Sequence, residues 1–356
     1  MAKRVCYIHV GPHKTGSSAI QWFLKEHRAE LYKQGYFVPE SGTVHGGHHP
    51  IARKLCDREV PEHQRSAAAK FAAAVTETPC GVVILSSEEL DALLRNSNTA
   101  ATFFSRIEEL NLEPKLIFFP RNQSQLINSR YAQVVKAFHC SESFGTFVEA
   151  SWRSPILGYS RLIELAGAFH AELIARPFTA ETVTRGVVPE FLHAIGIDPS
   201  QFSVASVRRN ESSGPFTVGV ARCLSRLTVG PGKQVTWLQA ERCKKRLAAY
   251  LQEKRLADTG YCGLTNALAM QIEKEWQHHN DAFARQVWDR PWAEVFAVDI
   301  GQDFRPNDFE ISQPDDFTER RLRQAIHDMR PAMEKIMLDP ALAVRAAWND
   351  LHRRAG

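Results

Sequence analysis

The chain has 356 residues, 44% of them hydrophobic and 24% charged, and carries a formal net charge of +4. That is enough for one large α/β domain with an appendage, or for two domains, and the composition is ordinary for a globular enzyme. The mild positive balance suits an anionic small-molecule donor; with no Lys/Arg-rich tract, it predicts no nucleic-acid partner.

In chain order, Val5–Val10 is a short apolar run without polar alternation, as expected of a strand buried on both faces. A Gly/Pro-punctuated loop, Gly11 to Gly16, separates it from a helical pattern with Ile20, Phe23, Leu24 and Leu31 on one face. His45-Gly46-Gly47-His48-His49 is a histidine cluster in a loop. Further apolar runs are Val82–Leu85, ending in Ser86-Ser87-Glu88-Glu89; Leu116–Phe119, ending in Pro120-Arg121-Asn122; and a weaker Leu173–Ala175, ending in Arg176-Pro177. Helical patterns at Ala67–Val75, Ala101–Leu110, Leu126–Phe138 and Leu162–Ala171 lie between or beside these runs. Strands alternating with helices predict a parallel sheet covered on both faces. Beyond about Phe202 the strand signal fades. Loops are expected at Arg208–Asn210, Ser212–Pro215 and Gly230–Gly232, and helices at Gln239–Lys254 and Leu264–His278. The tail from Phe317 to His352 has helical spacing that fits a packed end-piece or a partner-binding helix, of which packing is the commoner outcome.

The segment Gly11-Pro12-His13-Lys14-Thr15-Gly16-Ser17-Ser18 lies between a predicted buried strand and an amphipathic helix. Glycines let backbone N–H groups converge on an anion, and the helix start adds unbonded donors and a positive dipole end. Ser17 and Ser18 add hydroxyls. Gly11 and Gly16 have the separation of the ATP/GTP-binding pattern G-x-x-x-x-G-K-[ST], but Ser17 stands where that pattern has lysine. The lysine is Lys14 instead, on the crown of the loop. This arrangement resembles the 5′-phosphosulfate loop of sulfotransferases, P-K-[ST]-G-[ST]-[ST], with His13 inserted between Pro12 and Lys14.

A second segment supports the first. The strand ending at Phe119 leads to Arg121, and Ser129 follows eight positions on. Arginine presents a planar fork matched to phosphate oxygens, and strand C-termini in α/β sheets face the ligand crevice. On the following helix Leu126, Ile127, Tyr131, Val134, Val135 and Phe138 make the apolar face, so Ser129 points away from it. The segment resembles the sulfotransferase signature in which such an Arg and Ser hold the donor's 3′-phosphate. Ser86-Ser87-Glu88 is similar to a strand end in bacterial sulfotransferase-like proteins associated with surface polysaccharides, and Asn210-Glu211-Ser212 to a polar loop in them.

The resemblance spans about the first two hundred residues. It implies a three-layer α/β fold of the P-loop NTPase type with a central parallel sheet and a helical C-terminal region, divided as 1–305 and 306–356. It implies transfer of a sulfuryl group from 3′-phosphoadenosine 5′-phosphosulfate (PAPS) to a hydroxyl or amine, with a saccharide as acceptor. Gly11, Pro12, His13, Lys14, Thr15, Gly16, Ser17, Ser18, Arg121 and Ser129 would bind the donor. Lys14 would neutralise charge on the breaking bridging oxygen, with no metal required. Glu88 is the first choice for the base; Glu89, His48 and His49 are rivals, since a neutral imidazole is also a ready base. Ser87-Glu88-Glu89 also fits a plain helix N-terminus. Two other functions stay open: an ATP-dependent kinase, and a non-catalytic adenosine-bisphosphate-binding protein. The seven scattered cysteines form no C-x-x-C pair, which fits a reducing compartment. With no signal-peptide pattern and no apolar stretch of membrane-spanning length, the expectation is a soluble cytoplasmic protein, compatible with a homo-oligomer.

Overall fold

The computed structural model describes residues 3–44, 46–203, 213–229, 235–307 and 315–339. The chain forms two compact units, each drawn from three segments: 1–123, 154–209 and 273–302 in the first, and 124–153, 210–272 and 303–356 in the second.

The first unit is an α/β layer structure around five parallel strands, β1 (Arg4–His9), β2 (Tyr36–Phe37), β3 (Val82–Ser86), β4 (Leu112–Phe118) and β5 (Glu172–Ala175), in the order β2-β3-β1-β4-β5. Side chains alternate between the two faces, as the pleat requires. Cys6, Ile8, Val83, Leu85, Leu116 and Phe118 enter one core, while Ile84, Ile117 and Phe119 enter the other. The helices α1 (Ser17–Glu26), α2 (Arg28–Lys33) and α12 (Val187–Ala194) cover the second face through Ile20, Phe23, Leu31 and Phe191. The first face is covered by α3 (His49–Leu55), α5 (Phe71–Glu77), α6 (Glu89–Leu94), α7 (Ser97–Glu109) and α10 (Ser160–Ala168), among others. The connection leaving β1 thus takes one face, and the connection from β3 to β4 takes the other. A parallel sheet opens a crevice at the carboxyl end of a strand where connections diverge in this way. Here that strand is β1.

The helical pattern expected over Ala67–Val75 is two helices, α4 (Glu62–Ala69) and α5, broken at Lys70. β2, with two residues, and α3 were not anticipated.

The second unit is helical. α8 (Gln123–Lys136) and α9 (Phe144–Ser151) pack Tyr131 against Phe144 and Phe147. α13 (Pro215–Thr228), α14 (Trp237–Glu253) and the tail helix α18 (Asp316–Met337) pack together, and Tyr250 donates to Asp328 at 2.8 Å. The tail helix is therefore a packed piece of this unit. Of the loops expected in this stretch, Arg208–Asn210, Gly230–Gly232 and Asn210-Glu211-Ser212 lie outside the described residues, as does the tail beyond 339. Pro215 opens a helix. Gly214, which caps α13, has no side chain to offer, and Asp258 supplies the cap from elsewhere in the chain. Its carboxylate accepts from the amides of Phe216 (2.7 Å) and Thr217 (3.0 Å) and from the Thr217 hydroxyl (2.6 Å). A charged acceptor spread over three donors at the positive end of a helix is a strong cap. Asp258→Ala should lower the stability of the protein by about 1.5–3 kcal/mol; chemical unfolding checks this, and a change within error would remove Asp258 as the cap.

Candidate active site

β1 ends at His9, and the chain then turns through Val10-Gly11-Pro12-His13-Lys14-Thr15-Gly16 into α1. Two glycines make this turn fit. Gly11 has φ +96°, and a Cβ there would lie 3.1 Å from the Cα of Glu88, so the loop crosses directly over the end of β3. Gly16 has φ +79°, and its Cβ would lie 2.6 Å from a methyl of Val187. Neither position accepts an ordinary side chain without displacement. Lys14 stands between them, half-buried and itself left-handed at φ 71°. Inside the loop, the Thr15 hydroxyl donates to the Pro12 carbonyl at 2.7 Å and the Ser17 hydroxyl to the same oxygen at 3.3 Å. The hydroxyls expected to reach outward thus partly hold the loop together; Ser18 is half-buried at the helix start. Gly16 caps α1 without a side-chain bond, and the first turn contains no acidic residue. The positive end of the helix is consequently open to an anion.

On the β4 side of the loop stands Arg121. Its Nη1 donates to the Lys14 carbonyl at 2.8 Å, its guanidinium lies 5.4 Å from the Phe178 ring, and the Tyr159 hydroxyl donates to its carbonyl. Its Nε is buried and has no hydrogen-bond partner. Burial lowers its pKa to about 10, against the opposing attraction of Asp299, so it is charged at neutral pH. A desolvated cation with a donor left over is poised to bind an anion. Ser129, expected to act with Arg121, is half-buried on α8 and belongs to the second unit. Asn122 and Gln123 next to Arg121 are fully buried; Gln123 and Asn280 exchange amide hydrogen bonds at 2.7 and 2.8 Å.

On the β3 side stands Glu88, immediately before α6. Its Oε2 accepts from the amide of Gln21 on α1 and lies 3.7 Å from His49 Nε2; its Oε1 lies 3.9 Å from His13 Nδ1. Burial pushes the carboxyl pKa up, but His49, the Gln21 bond, the residue's own backbone amide and His13 together outweigh it, and the net displacement is downward. Glu88 is therefore held ionised. Glu89 faces elsewhere, in a two-bond pair with Arg53 at 2.6 Å each.

The histidines divide sharply. His48 is buried, with the Ser86 amide donating to its Nδ1 at 3.0 Å and its Nε2 donating to the Pro39 carbonyl at 3.1 Å. Both ring nitrogens are occupied by backbone, which leaves none to take a proton from an acceptor. His48 is thus a structural residue here rather than the rival base expected from the sequence. His49 is turned toward Glu88, with Nδ1 2.9 Å from the Ser87 hydroxyl. His45 lies outside the described residues. Sequence reasoning missed His9 and Gln21. His9, fully buried at the end of β1, has Nδ1 2.8 Å from the Ser86 hydroxyl and packs edge-on to Phe119 and Phe191. A single polar residue at the end of an apolar run, and one on the apolar face of α1, were the available signals.

A cavity of about 640 Å³ is lined by Leu55, Arg58, Phe71, Arg106 and Leu110 among others. Its lining comes from α3, α4, α5 and α7 and the turns beside them, and includes no residue of the Gly11–Gly16 loop. Its Arg106 is engaged with the Lys54 carbonyl and Asp57, so it is a separate feature. No helix among the described residues is long and apolar enough to cross a membrane. Comparison with family models, curated proteins and solved structures finds no match.

Burial lowers the pKa values of His9 and His48 from the ordinary 6.5 to about 4. Between those values the unfolded chain binds protons that the native protein refuses, so stability falls as pH drops through this window and levels off below it. Each histidine contributes a slope of up to about 1.4 kcal/mol per pH unit. Urea unfolding at pH 7, 6, 5 and 4 reads it; a flat profile between pH 6.5 and 4 would contradict neutral burial of both rings.

Proposed function

We propose that this chain is a cytoplasmic sulfotransferase that moves a sulfuryl group from PAPS to a hydroxyl or amine of a carbohydrate, on a P-loop NTPase-like sheet. The observation that carries this reading is Arg121: a half-buried arginine whose Nε is buried and has no hydrogen-bond partner, fixed to the carbonyl of the loop lysine beside an open helix N-terminus. An anion-binding loop with a second cation beside it suits a donor that carries two phosphate groups. Lys14, at the loop crown instead of the helix end, supports this donor over ATP.

In this reading the amides around Gly16 hold the 5′-phosphosulfate and Arg121 meets a donor phosphate. Lys14 neutralises charge that develops on the bridging oxygen as the S–O bond breaks. Catalysis is positioning and charge stabilisation, as in phosphoryl transfer. Glu88, across the loop from Arg121 and held ionised, accepts the acceptor's proton while its oxygen or nitrogen attacks sulfur. The leaving group departs as adenosine 3′,5′-bisphosphate.

Calorimetric titration with adenosine 3′,5′-bisphosphate, AMP, ADP and ATP tests the donor. Preference for the bisphosphate is expected, and Arg121→Ala should weaken it by about 1.5–3 kcal/mol, toward AMP-like binding. Equal wild-type affinity for AMP and the bisphosphate would reject the donor, and preference for ATP with Mg²⁺ would indicate a kinase. In sulfuryl-transfer assays Lys14→Ala should lose on the order of a hundredfold or more in rate while binding weakens less. Glu88→Gln should bind the bisphosphate normally and lose most turnover; bisphosphate binding with no transfer to any acceptor would leave a binding protein.

A further inference from the structure

The segment Gly46-Gly47-His48-His49 has a place in this site that the donor chemistry does not use. Gly47 lies against two partners of Glu88 at once. A Cβ on it would stand 2.5 Å from His49 Nε2 and 3.0 Å from the Gln21 amide carbon. A Cβ on Gly46 would stand 2.9 Å from the Gln21 carbonyl oxygen. The bare backbone of the two glycines therefore lets this segment press on α1 while the His49 ring reaches past it to the carboxylate. The ring is fixed from both ends. His48 fastens to β3 through the Ser86 amide and carbonyl, with its own amide donating to the latter at 2.7 Å. Ser87, buried and bonded through its amide to the His9 carbonyl at 3.0 Å, holds His49 Nδ1 at 2.9 Å.

We propose that His49 is a positioning residue for Glu88, clamped by Ser87 and given room by Gly47 so that its Nε2 faces Oε2 and keeps that carboxylate aimed. The part of this that concerns an acceptor's proton rests on the sulfotransferase reading; the coupling of the two side chains does not. The groups facing Glu88 are His49 from α3, His13 from the loop, the uncharged Gln21 from α1 and, beneath it, His9 from β1. His9 is neutral through the working range, and His13 approaches the other oxygen at 3.9 Å with 43% of its side chain exposed. His49, with 16% exposed, is the better shielded imidazole and so the stronger influence. Facing His49 itself are buried, neutral His48 and, further along α3, Arg53, whose charge is matched by Glu89.

The test is carboxyl carbon-13 NMR titration of Glu88 in the full-length protein, wild type against His49→Gln, Ser87→Ala and His13→Gln, with Glu88→Gln assigning the signal. The Glu88 midpoint should rise most in His49→Gln, rise in Ser87→Ala where the ring is intact but unclamped, and move least in His13→Gln. In transfer assays kcat of His49→Gln should fall by about tenfold or more, with its acidic limb displaced to higher pH and bisphosphate affinity unchanged. A Glu88 midpoint unmoved by both His49→Gln and Ser87→Ala overturns the proposal, as does a larger effect from His13→Gln. Should His49→Gln fail to fold, Ser87→Ala alone decides by the same readout. Wild-type failure to bind the bisphosphate would reject the sulfotransferase reading while the titration still judges the coupling; normal bisphosphate binding with an unmoved titration would reject the coupling alone.

Discussion

The site depends on one steric fact, the passage of Gly11 over the backbone of Glu88 at the end of β3. The chain leaving a central strand has little room, because its neighbours on both sides end at the same level. Here it clears β3 by lacking a side chain and by taking a φ that other residues avoid. Once it has cleared, Gly16 brings it down against Val187 with the same two properties, and α1 can begin. The residues between these points are bridged by the Pro12 carbonyl, which accepts from both Thr15 and Ser17. A loop pinned at both ends and tied within itself presents its amides without reorganising, which is what makes electrostatic stabilisation effective.

The sheet order then separates charge. Because β3 and β4 flank β1, the residues that follow them lie on opposite sides of the loop. Arg121 and Glu88 are the half-buried cation and the ionised carboxylate of the site, and neither is spent on the other. Arg121 bonds a carbonyl and packs on an aromatic ring; Glu88 is held by an amide and approached by two imidazoles. The contrast with nearby pairs is direct. Arg53 and Glu89 form a two-bond pair at 2.6 Å, and Arg95 holds Asp91 at 2.8 Å. Those charges are matched and structural. Directly matched charges would have little left for a ligand, so weak partners at Arg121 and Glu88 are what a binding site requires.

Much of this was legible in the sequence, for physical reasons. β3, most of β1 and the second half of β4 are apolar runs that feed both cores, the edge strand β5 is legible only weakly because Glu172 is exposed and Leu173 and Ile174 are half-buried, and the glycines of the loop mark where the backbone must do something unusual. Arg121 and Glu88 were legible because each follows directly from a strand end. β2 was not, since two residues cannot show a period. α13 was hidden by Ser212–Pro215, a turn-like sequence whose proline is the first residue of the helix, where a missing N–H costs nothing. The two units were hidden as well, because segments that alternate between them leave no shift of composition at any one boundary.

The hardest distinction was between His48 and His49, and the edge of the sheet explains it. β2 pairs with β3 only at Tyr36 and Phe37, opposite Val82 and Val83. Three residues further along β3, Ser86 still has an amide and a carbonyl to satisfy in a buried place on the side where β2 has ended. His48 fills that gap: its ring accepts from the Ser86 amide, its amide donates to the Ser86 carbonyl, and its other nitrogen donates to Pro39, two residues past β2. One side chain thereby splices two strands that have stopped pairing. An imidazole suits this task because, when neutral, it offers an acceptor and a donor on opposite sides of a flat ring. The next residue opens α3, and its side chain leaves the backbone in a different direction, toward Glu88. Two adjacent histidines thus differ entirely in role because one replaces a missing strand and the other begins a helix, a difference set by where β2 stops.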